Sequence, residues 1–328
     1  MFEWNGLKIY IECENDNFLS GIKNYFLLKE TTFIKENSDI FLSILDSKKQ
    51  NFPILKKNSK LVRTTDFILE KNFKLKIYAG DWELWYLYEN LAKVWINFKY
   101  NKIIVSIENH LFDFFYYNIL FFFFYPLSQI LENFGFYKFH SSCIDIKGEA
   151  MLFTGESGSG KSTSAFALAY GKENIISDDL TFIKKENNSF YAYPMNSLAK
   201  LSENALKNFF PLFLKYNLLK SNEGDIYVKI KDLNGKNAKM NKKTEIKAII
   251  ILQRSECKKS SFFKVHPLKI IPHLFPSSIN TNIEKYSKIK LNFITDLLDN
   301  IYCYNVNFGS DMVDFHRNIM KISNEWSL

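Results

Sequence analysis

The sequence has little cysteine and no grouping of cysteine or histidine that would build a disulfide or metal framework. Its four cysteines, Cys13, Cys143, Cys257 and Cys303, are far apart and include no Cys-x-x-Cys pair. The five histidines do not cluster either. This spacing argues against a disulfide scaffold and a zinc site, and it favours a reducing compartment. We therefore expect a cytoplasmic protein.

A basic run, a targeting signal and an internal repeat are also missing. The 328 residues carry a net charge of +8, but the lysines are scattered and no five basic residues follow one another. Such scattering is typical of a solvated surface, so nucleic acid is not an expected partner. The N-terminus, MFEWNGLKIYIECEND, has no basic start followed by an apolar stretch, and no signal peptide is predicted.

One apolar stretch raises the question of a membrane. Leu111–Leu131 is rich in Phe and Tyr, but Asp113 and Asn118 interrupt it and Pro126 lies late in it. A membrane-spanning helix needs about 20 apolar residues. We predict a buried helix or interface element here, with a membrane-surface contact as the alternative, and no transmembrane span.

Two regions of different character flank this stretch. Residues 1–110 contain short runs rich in aromatic and β-branched residues, such as LKIYIEC and KIIVSIEN, and one helix candidate, FLSGIKNYFLL. From residue 138 onward strand and helix patterns alternate. We predict a β-rich N-terminal domain over 1–110, an aromatic connecting helix over 111–137 and an α/β domain over 138–328.

Within residues 138–328 the sequence predicts individual strands and helices. KFHSSCIDIKGEAMLFTG predicts two strands with a turn at Lys147–Gly148, and KSTSAFALAYG predicts a helix that Gly171 closes. NIIS predicts a short buried strand, LTFIKKE and SFYAYPM a hairpin, and SLAKLSENALKNFF a helix. EIKAIIILQRS is apolar nearly throughout, as expected of a central strand covered on both faces.

A glycine-rich stretch carries the strongest chemical signal. GESGSGKS satisfies the pattern G-x-x-x-x-G-K-[ST], with an apolar strand before it and a helix that begins at Lys161. The N–H groups of such a loop and of the helix N-terminus point at an anion, and the lysine adds a charge for the β and γ phosphates. A chance Gly/Ser-rich turn is the alternative. The predicted nucleotide-binding residues are Gly155, Glu156, Ser157, Gly158, Ser159, Gly160, Lys161, Ser162 and Thr163.

Two adjacent aspartates, Asp178 and Asp179, follow the lysine after a short gap. A helix of about 11 residues, about 16 Å long, returns the chain to a strand parallel to AMLFT. The carboxyl end of that strand lies at the sheet edge where α/β proteins bind ligands. One carboxylate can then hold a metal while the other accepts the proton of an attacking hydroxyl. A helix N-cap or an Asx-turn is the alternative.

His140 lies between two predicted strands ahead of the loop. If these strands flank the loop, the imidazole can face the phosphates, where it would stabilise transferring charge or orient the nucleophile. The alternative is an ordinary surface or core histidine.

Together, His140, GEAMLFTGESGSGKST and ISDD resemble the catalytic domain of HPr kinase/phosphorylase and the wider group of HPr-kinase-like serine kinases. These are related to the nucleotide fold of phosphoenolpyruvate carboxykinase. The similarity covers about Phe139–Leu201 and includes YAYPMNSLAKLSENAL. It implies a P-loop kinase domain of the HPr kinase C-terminal type, a mixed sheet with flanking helices. It also implies ATP and Mg²⁺ as cofactors, and transfer of the γ-phosphate to a serine hydroxyl of a peptide or small protein, such as a ribosomally made precursor peptide.

The resemblance implies roles for individual residues. Lys161 would contact phosphate, Ser162 and Asp179 would hold Mg²⁺, and His140 would assist at the phosphate. Asp178 would then be the base, although the motif does not fix which aspartate has which role. The sequence departs from the family at Thr163, where HPr kinases usually have Glu, and it lacks their E-I-R-G-type stretch after Pro194. These departures argue against HPr as the substrate and against phosphorolysis.

Several alternatives stay open. The protein could phosphorylate a free hydroxyl metabolite, or it could be an ATPase or a nucleotide-sensing regulator without a phosphoacceptor. Lys200, Lys229 and Arg254 are candidates for holding phosphate or an acidic substrate, with surface solvation as the alternative. A homo-oligomer is a further alternative, and the sequence does not indicate the number of subunits.

Overall fold

The structure, a computed structural model, describes residues 1–48, 52–68, 72–113, 118–216, 218–220, 225–235, 243–278 and 284–327. It is an α/β protein built of mixed sheets and helices. The chain divides into two units, Met1–Phe136 with Asn280–Lys288, and Tyr137–Ile279 with Ile289–Leu328. All four cysteines are free thiols. Among the helices within the described ranges, none is both long and apolar enough to cross a membrane.

The first unit is built on one sheet, which has nine strands in the described ranges. They are β1 (Phe2–Trp4), β2 (Leu7–Cys13), β3 (Lys29–Glu30), β4 (Ile40–Asp46), β5 (Lys60–Ile68), β6 (Asn72–Ala79), β7 (Glu83–Tyr88), β8 (Ala92–Asn97) and β9 (Lys102–Ile107). Their order is β3-β1-β2-β4-β9-β8-β7-β6-β5. β4 pairs in parallel with β2 and β9, and the other neighbours pair antiparallel. The strand patterns of the N-terminal sequence are confirmed.

Helices in the first unit pack through aromatic side chains. α1 (Asp16–Tyr25) begins at Asn15, whose Oδ1 accepts a hydrogen bond from the N–H of Phe18 at 2.9 Å. The ring of Phe18 meets Phe112 edge-on, with centroids 5.7 Å apart. The segment after the sheet comprises a 3₁₀ turn (Asn109–Asp113), a π-helical turn (Leu120–Phe124), α2 (Tyr125–Leu131) and a 3₁₀ turn (Glu132–Phe134).

The aromatic stretch predicted to be a buried helix is helical and buried where it is described. Phe122, Phe123 and Phe124 are almost fully buried, and Phe26 packs against two of their rings with centroids 5.1 Å away. Residues 114–117 of that stretch lie outside the described ranges. Up to Phe136, the segment predicted to connect two domains falls within the first unit.

The second unit contains a large mixed sheet and a small antiparallel one. The large sheet consists of β10 (Tyr137–Phe139), β11 (Ser142–Ile146), β12 (Glu149–Thr154), β13 (Asn174–Ser177), β14 (Thr181–Glu186), β15 (Ser189–Tyr193), β19 (Thr244–Arg254), β20 (Ser261–Lys264) and β21 (Tyr302–Phe308). Its order is β10-β14-β15-β19-β12-β11-β13, with β21 also beside β19 and β20 beside β21. The small sheet has the order β16-β18-β17, formed by β16 (Leu198–Ser202), β17 (Leu218–Lys220) and β18 (Asp225–Lys229).

Helices cover both faces of the large sheet. They are α3 (Lys161–Tyr170), α4 (Glu203–Phe209), α5 (Ile230–Asn234), α6 (Ile271–Ser278), α7 (Glu284–Asp299) and α8 (Met312–Asn324), with 3₁₀ turns at Pro211–Lys215, Pro267–Lys269 and Glu325–Ser327. On β19, Ile250 belongs to the core that includes Phe166 of α3, while Ile249 belongs to a second core that includes Ile294 of α7. The prediction of a central strand covered on both faces is confirmed.

Most of the predicted elements of this unit are confirmed, including the turn at Lys147–Gly148 and the β14–β15 hairpin. β13 runs parallel to β12, as predicted, but β11 lies between them and pairs antiparallel with both. The single helix predicted for SLAKLSENALKNFF is wrong in its first part. Leu198–Ser202 is strand β16, which is fixed by pairing with β18, and the helix begins only after Ser202, whose Oγ accepts a hydrogen bond from Ala205 N–H.

Gly171 follows α3, but it does not adopt the backbone conformation for which glycine is favoured at the end of a helix. Its φ is −77°, outside the left-handed region in which glycine is favoured at helix ends. A Cβ atom at this position would lie only 2.3 Å from Nε2 of His316. A side chain at this position would therefore require the imidazole of His316, on α8, to move.

Candidate active site

The glycine-rich loop, Gly155–Gly160, joins the carboxyl end of β12 to the N-terminus of α3. Gly155, Gly158 and Gly160 all have positive φ, so the backbone curls in a way that other residues resist. Gly160 has a second constraint, because a Cβ there would lie 2.7 Å from the ring of Phe308. The Oγ of Ser159 is buried and has no hydrogen-bond partner within the described part of the chain. A curled loop with a spare buried hydroxyl at a helix N-terminus fits an anion such as phosphate.

Lys161 is the first residue of α3, and its side chain turns back over the loop. Its Nζ donates hydrogen bonds to the carbonyl oxygens of Gly155 and Glu156, each at 3.0 Å. Burial lowers the pKa of Lys161, and the nearby carboxylates of Asp179 and Asp178 partly counter this effect. The ammonium group is thus held inside the curl of the loop, where phosphate oxygens would be received.

His140 and the aspartates meet because two bent strands form one continuous ribbon. Only two residues separate β10 from β11, and three separate β13 from β14. The register is kept across the bend, from Phe139 opposite Thr181 to Cys143 opposite Ser177, and it shifts by one residue only after Cys143. Inside the bend the N–H of Ser141 donates to the carbonyl oxygen of Asp179 at 3.2 Å. The ribbon therefore places 140–142 directly against 178–180.

Asp178 is fully buried and well supplied with donors. Its Oδ1 accepts from the Ser142 hydroxyl at 2.5 Å, and its Oδ2 accepts from the N–H of Lys200 at 2.8 Å. The nearby Ser162 hydroxyl also lowers the pKa of this carboxylate. Burial raises the pKa of Asp178, and these donors only partly offset the shift. Asp178 thus links the bend of the ribbon to the first turn of α3.

Asp179 has a different environment. Its φ is +67°, and the N–H of Leu180 donates to the carbonyl of Asp178 at 2.8 Å. A hydrogen bond between residues two apart, around a centre with positive φ, is the rare and strained form of γ-turn. The two neighbours differ in exposure, since Asp178 is fully buried while the side chain of Asp179 is 32% exposed.

His140, in the bend between β10 and β11, holds Asp179 in place. Its Nδ1 lies 2.8 Å from the main-chain O of Asp179 and 3.1 Å from its Oδ1. Both atoms are acceptors, so this geometry assigns the proton to Nδ1. Burial alone would raise the pKa of Asp179, but the hydrogen bond and charge of His140, with the charges of Lys200 and Lys161, bring this pKa below its ordinary value. Asp179 is therefore held as a carboxylate.

These groups line a cavity of about 450 Å³. Of the predicted site residues, Ser157–Thr163, His140 and Asp179 line it; Asp178 lies behind the surface, and Gly155 and Glu156 act through their carbonyls on Lys161. Two of the three basic candidates, Lys200 and Arg254, line the cavity, whereas Lys229 does not. The remaining lining residues are Leu201, Ser202, Asn204, Ala205, Phe209, Ser255, Phe308, Gly309, Ser310 and Met312.

Sequence reasoning missed several contributors. Ser142 is fully buried and donates to Asp178, but a serine after a histidine gives no local signal of this role. Asp225 lies on β18 and pairs with Lys200 at 3.0 Å, which raises the pKa of Lys200 against the opposing effect of its burial. Phe308, which packs against Gly160, belongs to a strand more than a hundred residues later in the sequence. Only the three-dimensional pairing of strands reveals these contacts.

The oxygen donors of the site suit a magnesium ion. Mg²⁺ in proteins is usually held by one or two carboxylates together with phosphate oxygens and water. The Ser162 hydroxyl lies near the carboxylate of Asp178 and lowers its pKa, and Asp179, the next residue, supplies a second carboxylate. No group of three or more His, Cys, Asp or Glu side chains arranged to hold a metal occurs in the described residues. The donor set thus fits a metal that arrives with phosphates.

Comparisons with known proteins find a similar solved structure but no matching family. No protein-family model matches the chain, and no curated protein matches it. Among solved structures, the HPr(Ser) kinase/phosphatase of Coxiella burnetii is similar to 57% of this chain over 98% of its own length, with 17% identity and a TM-score of 0.29. Structural similarity at this level does not establish a shared family. The resemblance of the sequence motifs to HPr-kinase-like proteins therefore stays a prediction.

Proposed function

We propose that this protein is a phosphotransferase that uses ATP and Mg²⁺ to phosphorylate a hydroxyl group. The observation that carries the proposal is the arrangement at the ribbon bend. The Ser162 hydroxyl, which follows the glycine-rich loop, lies near the buried carboxylate of Asp178 and lowers its pKa, and Asp179 lines the cavity together with Lys161. A phosphate cradle, a metal ligand pair and a proton acceptor are the parts that phosphoryl transfer needs, since it depends mainly on positioning and electrostatics.

The two aspartates differ enough to divide these tasks. Asp178 is buried near the Ser162 hydroxyl, and a carboxylate close to the hydroxyl that follows the loop lysine is the arrangement expected of a pair that holds Mg²⁺. When bound, Mg²⁺ would neutralise charge that develops on the β and γ phosphates. We therefore propose Ser162 and Asp178 as the metal-holding pair, whereas from the sequence, which leaves the two roles open, we expected Ser162 with Asp179.

Asp179 is then the proposed base. It is the only carboxylate among the residues that line the cavity, and its lowered pKa keeps it ionised near neutral pH. The carboxylate can accept the proton of an attacking hydroxyl as the oxygen–phosphorus bond forms. His140 fixes the carboxylate through Nδ1, and Lys161 binds the phosphates. The product is a phosphate ester, and ADP leaves with the cleaved bridging oxygen.

For the acceptor, we propose a serine hydroxyl on a peptide or small protein. The motif set around His140 and ISDD supports this choice through its resemblance to serine kinases of the HPr-kinase-like group. A precursor peptide made on the ribosome is the acceptor class that the looser members of this group suggest. The experiment that tests this acceptor also tests the alternative acceptor, a free hydroxyl metabolite.

The test is mass spectrometry of candidate peptides and hydroxyl metabolites after incubation with ATP, Mg²⁺ and the protein. We expect one phosphoryl group to be added to a serine of one acceptor class, and no addition with the Lys161→Ala variant. ATP hydrolysis that depends on Lys161 but leaves every acceptor unmodified would instead identify an ATPase and overturn the proposal.

A further inference from the structure

The wall of the cavity opposite the aspartates contains residues that have no role in the proposed transfer. Arg254 is the last residue of β19, and it is exposed at the cavity surface. Only two other arginines, Arg63 and Arg317, occur in the chain. The guanidinium of Arg254 makes no hydrogen bond or ion pair with any residue in the described ranges, whereas Lys200, the other basic residue beyond the loop, is paired with Asp225. An unpaired guanidinium on a cavity wall is suited to an anionic ligand.

Strand pairing holds Arg254 at a fixed place beside the loop. β19 lies next to β12 in parallel register, with Ile251 opposite Thr154, so Arg254 extends three residues past the point where the loop begins. The carbonyl of Leu252 lies 2.6 Å from where a Cβ on Gly155 would be, which shows how closely β19 backs the loop. On the other side, Arg254 is opposite Phe308 of β21, whose ring packs on Gly160. The ends of β19 and β21 thus support both ends of the loop.

Strand pairing at the end of β12 separates this wall from the aspartates. Ser142, which donates to Asp178, lies opposite Phe153 on one side of β12, and Ile250 of β19 lies opposite Phe153 on the other side. In phosphoryl transfer the attacking and leaving oxygens are roughly in line on opposite sides of phosphorus. If the acceptor approaches beside Asp179, the leaving part of the donor must extend away from β13, toward β19 and β21.

We propose that Arg254 binds the α-phosphate of the donor nucleotide, and that the wall formed by Ser255, Ser310 and Met312 holds its nucleoside. The serines offer hydroxyl groups for the ribose, and Met312 offers an adaptable apolar surface for the base. The donor is then a nucleoside triphosphate rather than an inorganic polyphosphate, and the acceptor enters only from the side of Asp179 and Lys200. This assignment rests on the proposed phosphotransferase function and adds the direction in which the donor lies.

Calorimetric titration of the full-length protein with ATP and with inorganic tripolyphosphate, both with Mg²⁺ and without acceptor, tests this assignment. We expect the wild-type protein to bind ATP more tightly than tripolyphosphate, because only ATP reaches the nucleoside wall. Arg254→Ala should weaken both ligands about tenfold, which corresponds to one charge-assisted hydrogen bond at an exposed position. Arg254→Lys should keep part of the affinity, because it retains the charge but not the bidentate geometry.

Arg63→Ala is the matched control, since Arg63 is also an exposed arginine on a strand but belongs to the first unit. It should leave both affinities unchanged. Equal wild-type affinities for ATP and tripolyphosphate would overturn the proposed nucleoside site. An unchanged ATP affinity in Arg254→Ala would overturn the proposed contact between Arg254 and the α-phosphate. If ATP binds as expected but no acceptor is ever phosphorylated, the transfer proposal fails while the assignment of Arg254 stands.

Discussion

The hydroxyl of Ser142 donates a hydrogen bond to Oδ1 of Asp178 across the ribbon, and both side chains are completely buried. A buried carboxylate is costly unless donors surround it. The donors to Asp178 among the described residues are the Ser142 hydroxyl and the N–H of Lys200, and Ser142 has no proposed contact with Mg²⁺ or phosphate. A substitution of Ser142 therefore tests what the hydrogen bond contributes to stability without removing a group that is proposed to take part in the reaction.

Ser142→Ala should destabilise the fold at neutral pH by about 1–3 kcal/mol, since one oxygen of a buried carboxylate loses its donor. The loss should shrink as the pH falls. The pKa of Asp178 is already raised by burial, and without Ser142 it rises further, so protonation relieves the variant first. Urea unfolding at several pH values measures this effect. Ser323→Ala is the control, because Ser323 is also buried but donates to the carbonyl of Met320. A loss that does not depend on pH would mean that Asp178 is not the group affected.

His140→Ala should move the acidic limb of the pH–rate profile to higher pH. His140 is the main group that lowers the pKa of Asp179 against the effect of burial, so its removal raises this pKa. The proposed base would then be protonated over a wider range, and transfer would be lost from a higher pH downward. The measurement is kcat/KM against pH for wild type, His140→Ala and His140→Asn, in which the amide replaces the donor. A limb that stays in place while the rate falls uniformly would assign His140 to another role.

The sequence predicts the loop and the distance to the aspartates well, because both depend on neighbours in the chain. Glycines, a lysine at the start of a helix and a short return strand are local features, and the structure has each of them where predicted. The contacts of His140 and Ser142 with the aspartates are different. They arise from a ribbon that keeps its register through a bend, between segments 36 and 39 residues apart. No local pattern records such a pairing.

β16 shows the same limit in secondary structure. SLAKLSENALKNFF has a helix-like pattern throughout, yet its first residues form a strand because β18, more than twenty residues later, pairs with them. This strand delivers the Lys200 N–H to Asp178. Tertiary pairing overrides local preference here, and it does so at a residue that completes the site.

Gly171→Ala should destabilise the protein by about 1–3 kcal/mol, because the new methyl group would overlap the imidazole of His316. His316→Ala removes the obstacle, so the double variant Gly171→Ala/His316→Ala should lose less stability than the sum of the two single changes. Gly80→Ala is the control, since a Cβ there meets its nearest neighbour at an ordinary 3.6 Å. Strictly additive losses would show that the contact between α3 and α8 is not the reason for the glycine.

Asp179 combines a proposed chemical role with a strained backbone, and two substitutions separate them. Asp179→Gly removes the carboxylate but suits a φ of +67°, whereas Asp179→Ala removes the carboxylate and keeps the strain. Both variants should lose transfer by a factor of about 10²–10⁴, the contribution of a general base. The glycine variant should nevertheless be more stable than the alanine variant by about 1 kcal/mol, because glycine adopts left-handed conformations without a Cβ clash. Acceptor phosphorylation rates and urea unfolding measure the two effects on the same samples. Transfer that survives in the glycine variant but not in the alanine variant would mean that the turn, and not the carboxylate, is what the reaction needs, and the base would have to be sought elsewhere in the cavity.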